Sequence, residues 1–293
     1  MIKKKRFKRS RHVLISKNKY GDIVKIPYQP FRKPFRVFTH QFTKDKQLVL
    51  SPTKQWTNET FGQTMEEALS RSYDIDSGIN PGRVDLPMVE RLVPILKKII
   101  PEDIQFVEAL GVKNGCIDFI LVYKGRKVTC SVKTNLTCDK VAPQIYGQTT
   151  KKKFIENFGV SVKSSDDILD AIKLHIFKNY KKMMKKYLSG LSCCDFTLYI
   201  KAKKVNASGM IEILSISFLN TKQLKKFRFD SSKLSLCHNN HNWFSIRSDR
   251  TVRTNTLWHD DNKIGEFQIH KNRNCVKFRF HLEKLLEVVM ISY

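Results

Sequence analysis

The chain has 293 residues, with 54 Lys and Arg against 27 Asp and Glu and a formal net charge of +27. That length allows one large domain or two small ones with an ordinary buried core, and no apolar run is long enough to span a bilayer. An excess of positive charge this large repels itself in a compact fold unless a polyanion is usually present. It points to nucleic acid, whose phosphates release counterions when neutralised, with a ribosomal or membrane-surface protein as the alternative.

Residues 1–35 are dominated by Lys and Arg, beginning Lys3-Lys4-Lys5-Arg6. The block reads as a basic arm, disordered or tracking a phosphate backbone, and a nuclear targeting signal would look the same. No signal-peptide stretch opens the chain. Pro30 and Pro34 make residues 28–35 extended. Residues 36–293 are expected to form a single domain, with a core over about 60–190 and a strand-rich part over about 191–293.

Phe61 to Arg71 has helical spacing, with Met65, Ala68 and Leu69 inward. After a Gly- and Pro-broken loop, Asp85-Leu86-Pro87 opens a second helix to about Ile100, with Asp85 as cap and Val89, Leu92, Val93 and Leu96 on the inner face. Glu90 reads as a solvated helix carboxylate. A strand is expected over residues 104–110.

Two short runs then alternate about Lys124-Gly125-Arg126, namely residues 116–123 and 127–133, and read as an antiparallel hairpin. Each carries a misfit, Asp118 in the first and Lys133 at the end of the second. Side chains alternate along a strand, so Ser131 and Lys133 share a face. A carboxylate on one strand and an ammonium on its neighbour can therefore converge at a sheet edge.

Further on, Lys151-Lys152-Lys153 suits phosphate. Residues 165–188 read as a long helix capped by Ser165, with Leu169, Ile172, Ile176, Tyr180, Met183 and Tyr187 as its apolar stripe and lysines around the rest. Residues 196–201 and 210–216 are expected as neighbouring strands, the second the more central. Between His238 and Arg273 the chain is crowded with Asn and Arg, interrupted by Trp243 and Trp258. Arg247, Arg250, Arg253, Asn255, Lys271 and Arg273 match the donors that base edges require. A polar loop system anchored by two tryptophans is the competing reading. Two strands about Asn272-Arg273-Asn274 and a helix from Leu282 to Val289 close the chain.

The seven cysteines are scattered, with no Cys-x-x-Cys pair, and read as reduced thiols. Cys237-His238 with His241 lacks a fourth zinc ligand at sensible spacing, so core cysteine and solvated histidines are the expectation there.

Asp118, with Lys133 two residues after Ser131 on the next strand, resembles the core of the PD-(D/E)xK nuclease superfamily, the fold of most type II restriction endonucleases. The tail also resembles that of small monomeric enzymes cutting four-base palindromes. The acidic position is Ser131 here, a departure shared by some small restriction enzymes. The resemblance implies an α/β (α+β) fold, a mixed central sheet flanked by helices. It implies Mg²⁺ held by Asp118, Ser131, the Val132 carbonyl and Glu66, which stands four residues after Gly62, with Glu67 as fallback. Lys133 would orient or deprotonate a water, making Asp118, Ser131, Lys133 and Glu66 the catalytic set. Asn135, Gln144, Gln148, Lys151 and Lys152 would touch the DNA backbone. The expected activity is cleavage of double-stranded DNA at a short palindrome by an intracellular monomer or homodimer of prokaryotic or viral source, cytoplasmic and paired with a DNA methyltransferase. A structure-specific, junction-resolving nuclease and a non-catalytic nucleic-acid-binding protein are the alternatives.

Overall fold

A computed structural model describes residues 13–17, 23–27, 35–110, 116–136, 140–163, 167–205, 209–236, 252–270 and 273–291. The chain divides into two compact units, Met1–Pro34 and Phe35–Tyr293. In the first, β1 (Val13–Lys17) pairs antiparallel with β2 (Ile23–Pro27). The lysine count hides this hairpin in the sequence. Val13, Ile15, Ile23, Val24 and Ile26 nevertheless supply the β-branched residues that favour strands. Residues 28–34 lie outside those described.

The second unit opens with β3 (Arg36–Gln41), β4 (Leu48–Leu50), α1 (Asn58–Ser72) and α2 (Leu86–Ile99), followed by β5 (Ile104–Ala109), β6 (Phe119–Tyr123) and β7 (Arg126–Asn135). Next come β8 (Lys140–Val141), β9 (Gln148–Thr149), α3 (Lys151–Phe158), α4 (Ile168–Leu191), β10 (Phe196–Val205) and β11 (Met210–Leu219). β12 (Leu234–Leu236), β13 (Val252–His259), β14 (Asn262–His270), β15 (Cys275–His281) and α5 (Leu282–Ile291) complete it. This is the mixed α/β class that the sequence leads one to expect, with sheets flanked by helices. Among the described residues, no helix is long and apolar enough to cross a membrane.

The central sheet has the order β3-β11-β10-β7-β6-β5, with β4 also on β11. Its neighbours are antiparallel except β7 and β10, which run parallel with Ser131 opposite Thr197 and Lys133 opposite Tyr199. A parallel pair needs a long crossover, and α3, α4 and the short strands β8 and β9 supply it. Both β10 and β11 are interior strands, so the expected hairpin forms but centrality is not special to the second.

The β6–β7 turn is tighter than the three residues read from the sequence. Tyr123 pairs with Arg126, leaving Lys124 and Gly125 at φ of 50° and 71°. Two consecutive positive φ values are the two-residue turn that matches strand twist, and glycine relieves the second.

One core lies between the sheet and the helix pair. Phe61, Met65 and Leu69 of α1, with Val89, Leu92 and Leu96 of α2, pack on Phe119, Leu121, Ile200 and Phe218. Asp85 stands at the α2 N-cap position but makes no capping bond. Its buried carboxylate instead accepts from the Thr53 amide and hydroxyl and the Trp56 indole, all at 2.8 Å.

The second core joins α4 and α5 to a six-stranded sheet of order β12-β13-β14-β15-β8, with β9 also on β15. Tyr187 of α4 stacks on Phe278 at 4.1 Å between ring centres. Ile172, Ile176 and Met183 continue the stripe read from the sequence. The cap of α4 is Asp167, whose carboxylate accepts from the Leu169 amide at 2.8 Å, and the expected cap Ser165 lies outside the described residues. Within this sheet buried Glu266 is held by Lys140 at 2.9 Å and Arg279 at 2.5 Å. Part of the Asn- and Arg-rich segment, for which a polar loop system is the competing reading, is strand in β13, and β14 covers the strand expected from Gly265.

Candidate active site

Asp118 sits at the entrance to β6. Its backbone is already in the ladder: its amide donates to the Cys130 carbonyl at 3.0 Å and its carbonyl accepts from the Leu110 amide at 2.9 Å. That pairing sets Asp118 beside Ser131 on the neighbouring strand. The Ser131 hydroxyl donates to Asp118 Oδ2 at 2.9 Å, and the Val132 amide donates to the same oxygen at 2.7 Å. Two donors on one oxygen fix the carboxylate, and among the described residues Oδ1 takes no hydrogen bond. Ser131 is buried, so in this arrangement its hydroxyl acts on Asp118.

Helix α1 brings Glu66 over this edge. Its start is tied to the end of β7, because Asn58 Oδ1 accepts from the Leu136 amide at 3.2 Å. A Cβ on Gly62 would lie 3.3 Å from Thr134 Oγ1, so glycine permits the close approach of helix to strand. One turn later Glu66 feels both Asp118 and Lys133. Burial first, then the Asp118 charge, raises its pKa from 4.5 to about 8, with Lys133 opposing. Glu66 nonetheless keeps a partial opening to water, as do Asp118 and Lys133. Among the described residues none of the three is locked in a salt bridge.

Glu67, the fallback, points elsewhere: it bonds Arg71 at 2.7 Å and the Ser77 hydroxyl. Glu90 is exposed and reaches Arg71 at 2.5 Å. Two carboxylates whose charges repel, one of them buried and raised in pKa with only partial relief from Lys133, suit a divalent cation bound through oxygen. Asp118 and Glu66 could supply such oxygen donors.

Over 158 residues, 53% of the chain, the sequence is 35% identical to the type II restriction enzyme CviAII of Paramecium bursaria Chlorella virus 1. The match spans 40% of that enzyme's length, less than half of it. No family model matches the chain, and no solved structure matches it.

The expected DNA contacts divide by exposure. Gln148 on β9 pairs with Lys277 of β15, and the Lys151 amide donates to Asn274 Oδ1 at 2.9 Å. The start of α3, where Lys152 and Lys153 are exposed, thus lies against the β14–β15 turn carrying exposed Arg273. Gln144 is half-buried in a loop fastened to the end of α4, its amide donating to the Gly190 carbonyl at 3.1 Å. Asn135 and Asn255 are buried, at 4% and 2% exposure, and the Asn135 side-chain Nδ2 donates to the Lys140 carbonyl. The strands that carry them turn both side chains inward. Arg253 lies on β13, opposite Ile269. Arg247, Arg250 and Lys271, like Cys237, His238 and His241, lie outside the described residues. On α4, Lys178, Lys181, Lys182, Lys185 and Lys186 form an exposed basic face.

A group of cysteines beside Asp118 escaped the sequence reading. Cys116, two residues before Asp118, meets Cys193 and Cys194, where α4 turns into β10, with all three sulfurs within 4.8 Å of one another. The turn is pinned by Asp195, which accepts from the Thr129 amide and hydroxyl at 3.2 and 3.1 Å and from Lys222 at 2.8 Å. A hydrogen bond shared with Cys194 holds the Cys193 thiol below its ordinary pKa against the cost of burial, helped by Cys116 and by the Lys133 charge. Cys194 is pushed up chiefly by that shared bond and then by burial, whereas Cys116 is pushed up first by burial. The adjacency of Cys193 and Cys194 was the only signal available in the sequence.

Proposed function

We propose that this protein is a sequence-specific, Mg²⁺-dependent endonuclease of the type II restriction kind, acting on double-stranded DNA at a short palindrome. The observation that carries the reading is that Asp118, held by Ser131 and the Val132 amide at the start of β6, stands beside the β7 strand that carries Lys133, against which Gly62 lets the Glu66 helix pack closely. The likeness to a viral restriction enzyme supports it, as does the net charge of +27. So does the resemblance of the Asp118, Ser131 and Lys133 arrangement to the PD-(D/E)xK core.

Asp118 Oδ1, Glu66 and the Val132 carbonyl would hold the cation, and Ser131 would keep Asp118 in its rotamer. The cation's contribution is Lewis-acid withdrawal of charge from the phosphoryl oxygens. Lys133 orients the attacking water and offsets negative charge growing on the phosphate in the transition state. Glu66 gives up its proton when positive charge arrives beside it, because the repulsion from Asp118 is then offset. The exposed basic faces of α3 and α4 hold the sugar-phosphate backbone and place the scissile bond at the sheet edge. A DNA methyltransferase of matching specificity would protect the host's own sites.

The test is digestion of unmethylated phage DNA with Mg²⁺, followed by sequencing of the ends. Discrete fragments sharing one short palindrome support the proposal, and Asp118→Asn and Lys133→Ala should abolish cutting while still retarding duplex DNA in a gel. Smearing, no cleavage, or variants that cut at the wild-type rate would overturn it.

A further inference from the structure

We propose that Cys116, Cys193 and Cys194 form a binding site for one thiophilic divalent cation, of which zinc is the natural case, separate from the oxygen-donor site at Asp118 and Glu66. Nothing in this argument depends on the nuclease reading.

Geometry carries it. A tetrahedral zinc with bonds of about 2.3 Å to sulfur requires sulfur-to-sulfur edges of roughly 3.8 Å. Cys193 Sγ and Cys194 Sγ stand 3.9 Å apart, and Cys116 completes a triangle with no edge beyond 4.8 Å. Small side-chain rotations close the rest. Both Cys193 and Cys194 turn their sulfurs toward the same place, each donating to the Cys116 carbonyl, at 3.7 and 3.0 Å. All three cysteines are free thiols.

The surroundings fit a cation of this class. Cys194 is buried, whereas Cys116 and Cys193 keep partial access to solvent, which leaves an entry path for an ion and for a water as fourth ligand. Soft sulfur donors select zinc-like ions over magnesium, so the two neighbouring sites would sort cations by donor chemistry. Binding releases thiol protons to solvent. The frame is rigid where it matters: Thr129 and Asp195 lock the start of β10 to β7, and Asp118 locks the end of the Cys116 segment to Cys130. A bound ion would clamp the approach to β6 against the approach to β10.

The experiment is a titration of the reduced, chelator-treated full chain with Co²⁺, with excess Mg²⁺ present to compete for oxygen ligands. A near-ultraviolet thiolate-to-cobalt charge-transfer band should grow to saturation at one equivalent and disappear on adding Zn²⁺. Cys193→Ser and Cys116→Ser should each lose it, and Glu66→Gln should keep it. In the unmutated protein, Zn²⁺ should also shield three thiols from an aromatic disulfide reagent, a readout that needs no variant to fold. Absence of the band and of thiol protection in the wild-type chain would overturn the proposal. So would a band that survives both cysteine substitutions, or one that Glu66→Gln abolishes.

Discussion

Replacing Glu66 with glutamine should make the metal-free protein more stable, and only above the ordinary carboxylate range. The unfolded chain gives up this proton near 4.5, while the folded chain keeps it to about 8. Between those values the unfolded state binds fewer protons, so stability falls as pH rises. At about 1.4 kcal/mol per tenfold in proton affinity, the ceiling is about 5 kcal/mol. Partial access to water relieves some of that cost, and about 2 kcal/mol is the expected gain for Glu66→Gln at pH 8. Thermal unfolding in chelator should show the variant about 5 °C above wild type at pH 8, with no gain at pH 4.5. Adding Mg²⁺ should then stabilise wild type more than the variant, because only wild type has the second carboxylate to offer. A difference between variant and wild type that stays constant from pH 4.5 to 8 would refute the reasoning, since it would mean that Glu66 titrates alike folded and unfolded.

Three further outcomes follow from particular contacts. Ser131→Ala removes one of the two donors on Asp118 Oδ2 and should slow single-turnover cleavage about tenfold, for the loss of about 1.4 kcal/mol, while raising the Mg²⁺ needed for half-maximal rate; an unchanged rate and Mg²⁺ requirement would refute the positioning role. Asp85→Asn leaves donors from Thr53 and Trp56 poorly matched and should cost about 2–3 kcal/mol at pH 7. Burial raises the Asp85 pKa but those donors outweigh it and hold the acid below 3.8, so its stabilisation is present above that value and the gap to Asp85→Asn should close as pH falls through the folded pKa; urea titrations followed by Trp fluorescence check both. Gly190→Ala would place a Cβ 2.4 Å from the Gln144 carbonyl oxygen, a backbone clash that should cost about 2 kcal/mol or more in the same titrations.

The sequence made the β6–β7 hairpin legible because its signals are local. Alternation of apolar residues, a glycine at the turn and a charge standing in an apolar run all sit within residues 116–133. Glu66 was reachable through the spacing from Gly62, although only the fold separates it from Glu67, which turns to Arg71 and Ser77. The second sheet was not legible as a whole. Polar residues such as Thr254, Asn255 and Thr256 resemble loop, and only long-range pairing with β14 makes them strand. Asn255 shows the cost of reading side-chain chemistry without burial, since a donor suited to adenine proves to face inward. The thiol cluster was harder still, because Cys116 and Cys193 are 77 positions apart and meet only when β10 lies beside β7.

Strand β7 carries Lys133 in one sheet, and Lys140, five positions beyond Asn135, belongs to the other. Lys140 also grips Glu266, whose second partner Arg279 comes from β15. For protein engineers this sets where a graft must begin. Exchanging the C-terminal half cannot treat residues 252–291 as a cassette, since residues 140–149 are woven into the same sheet and would have to travel with them.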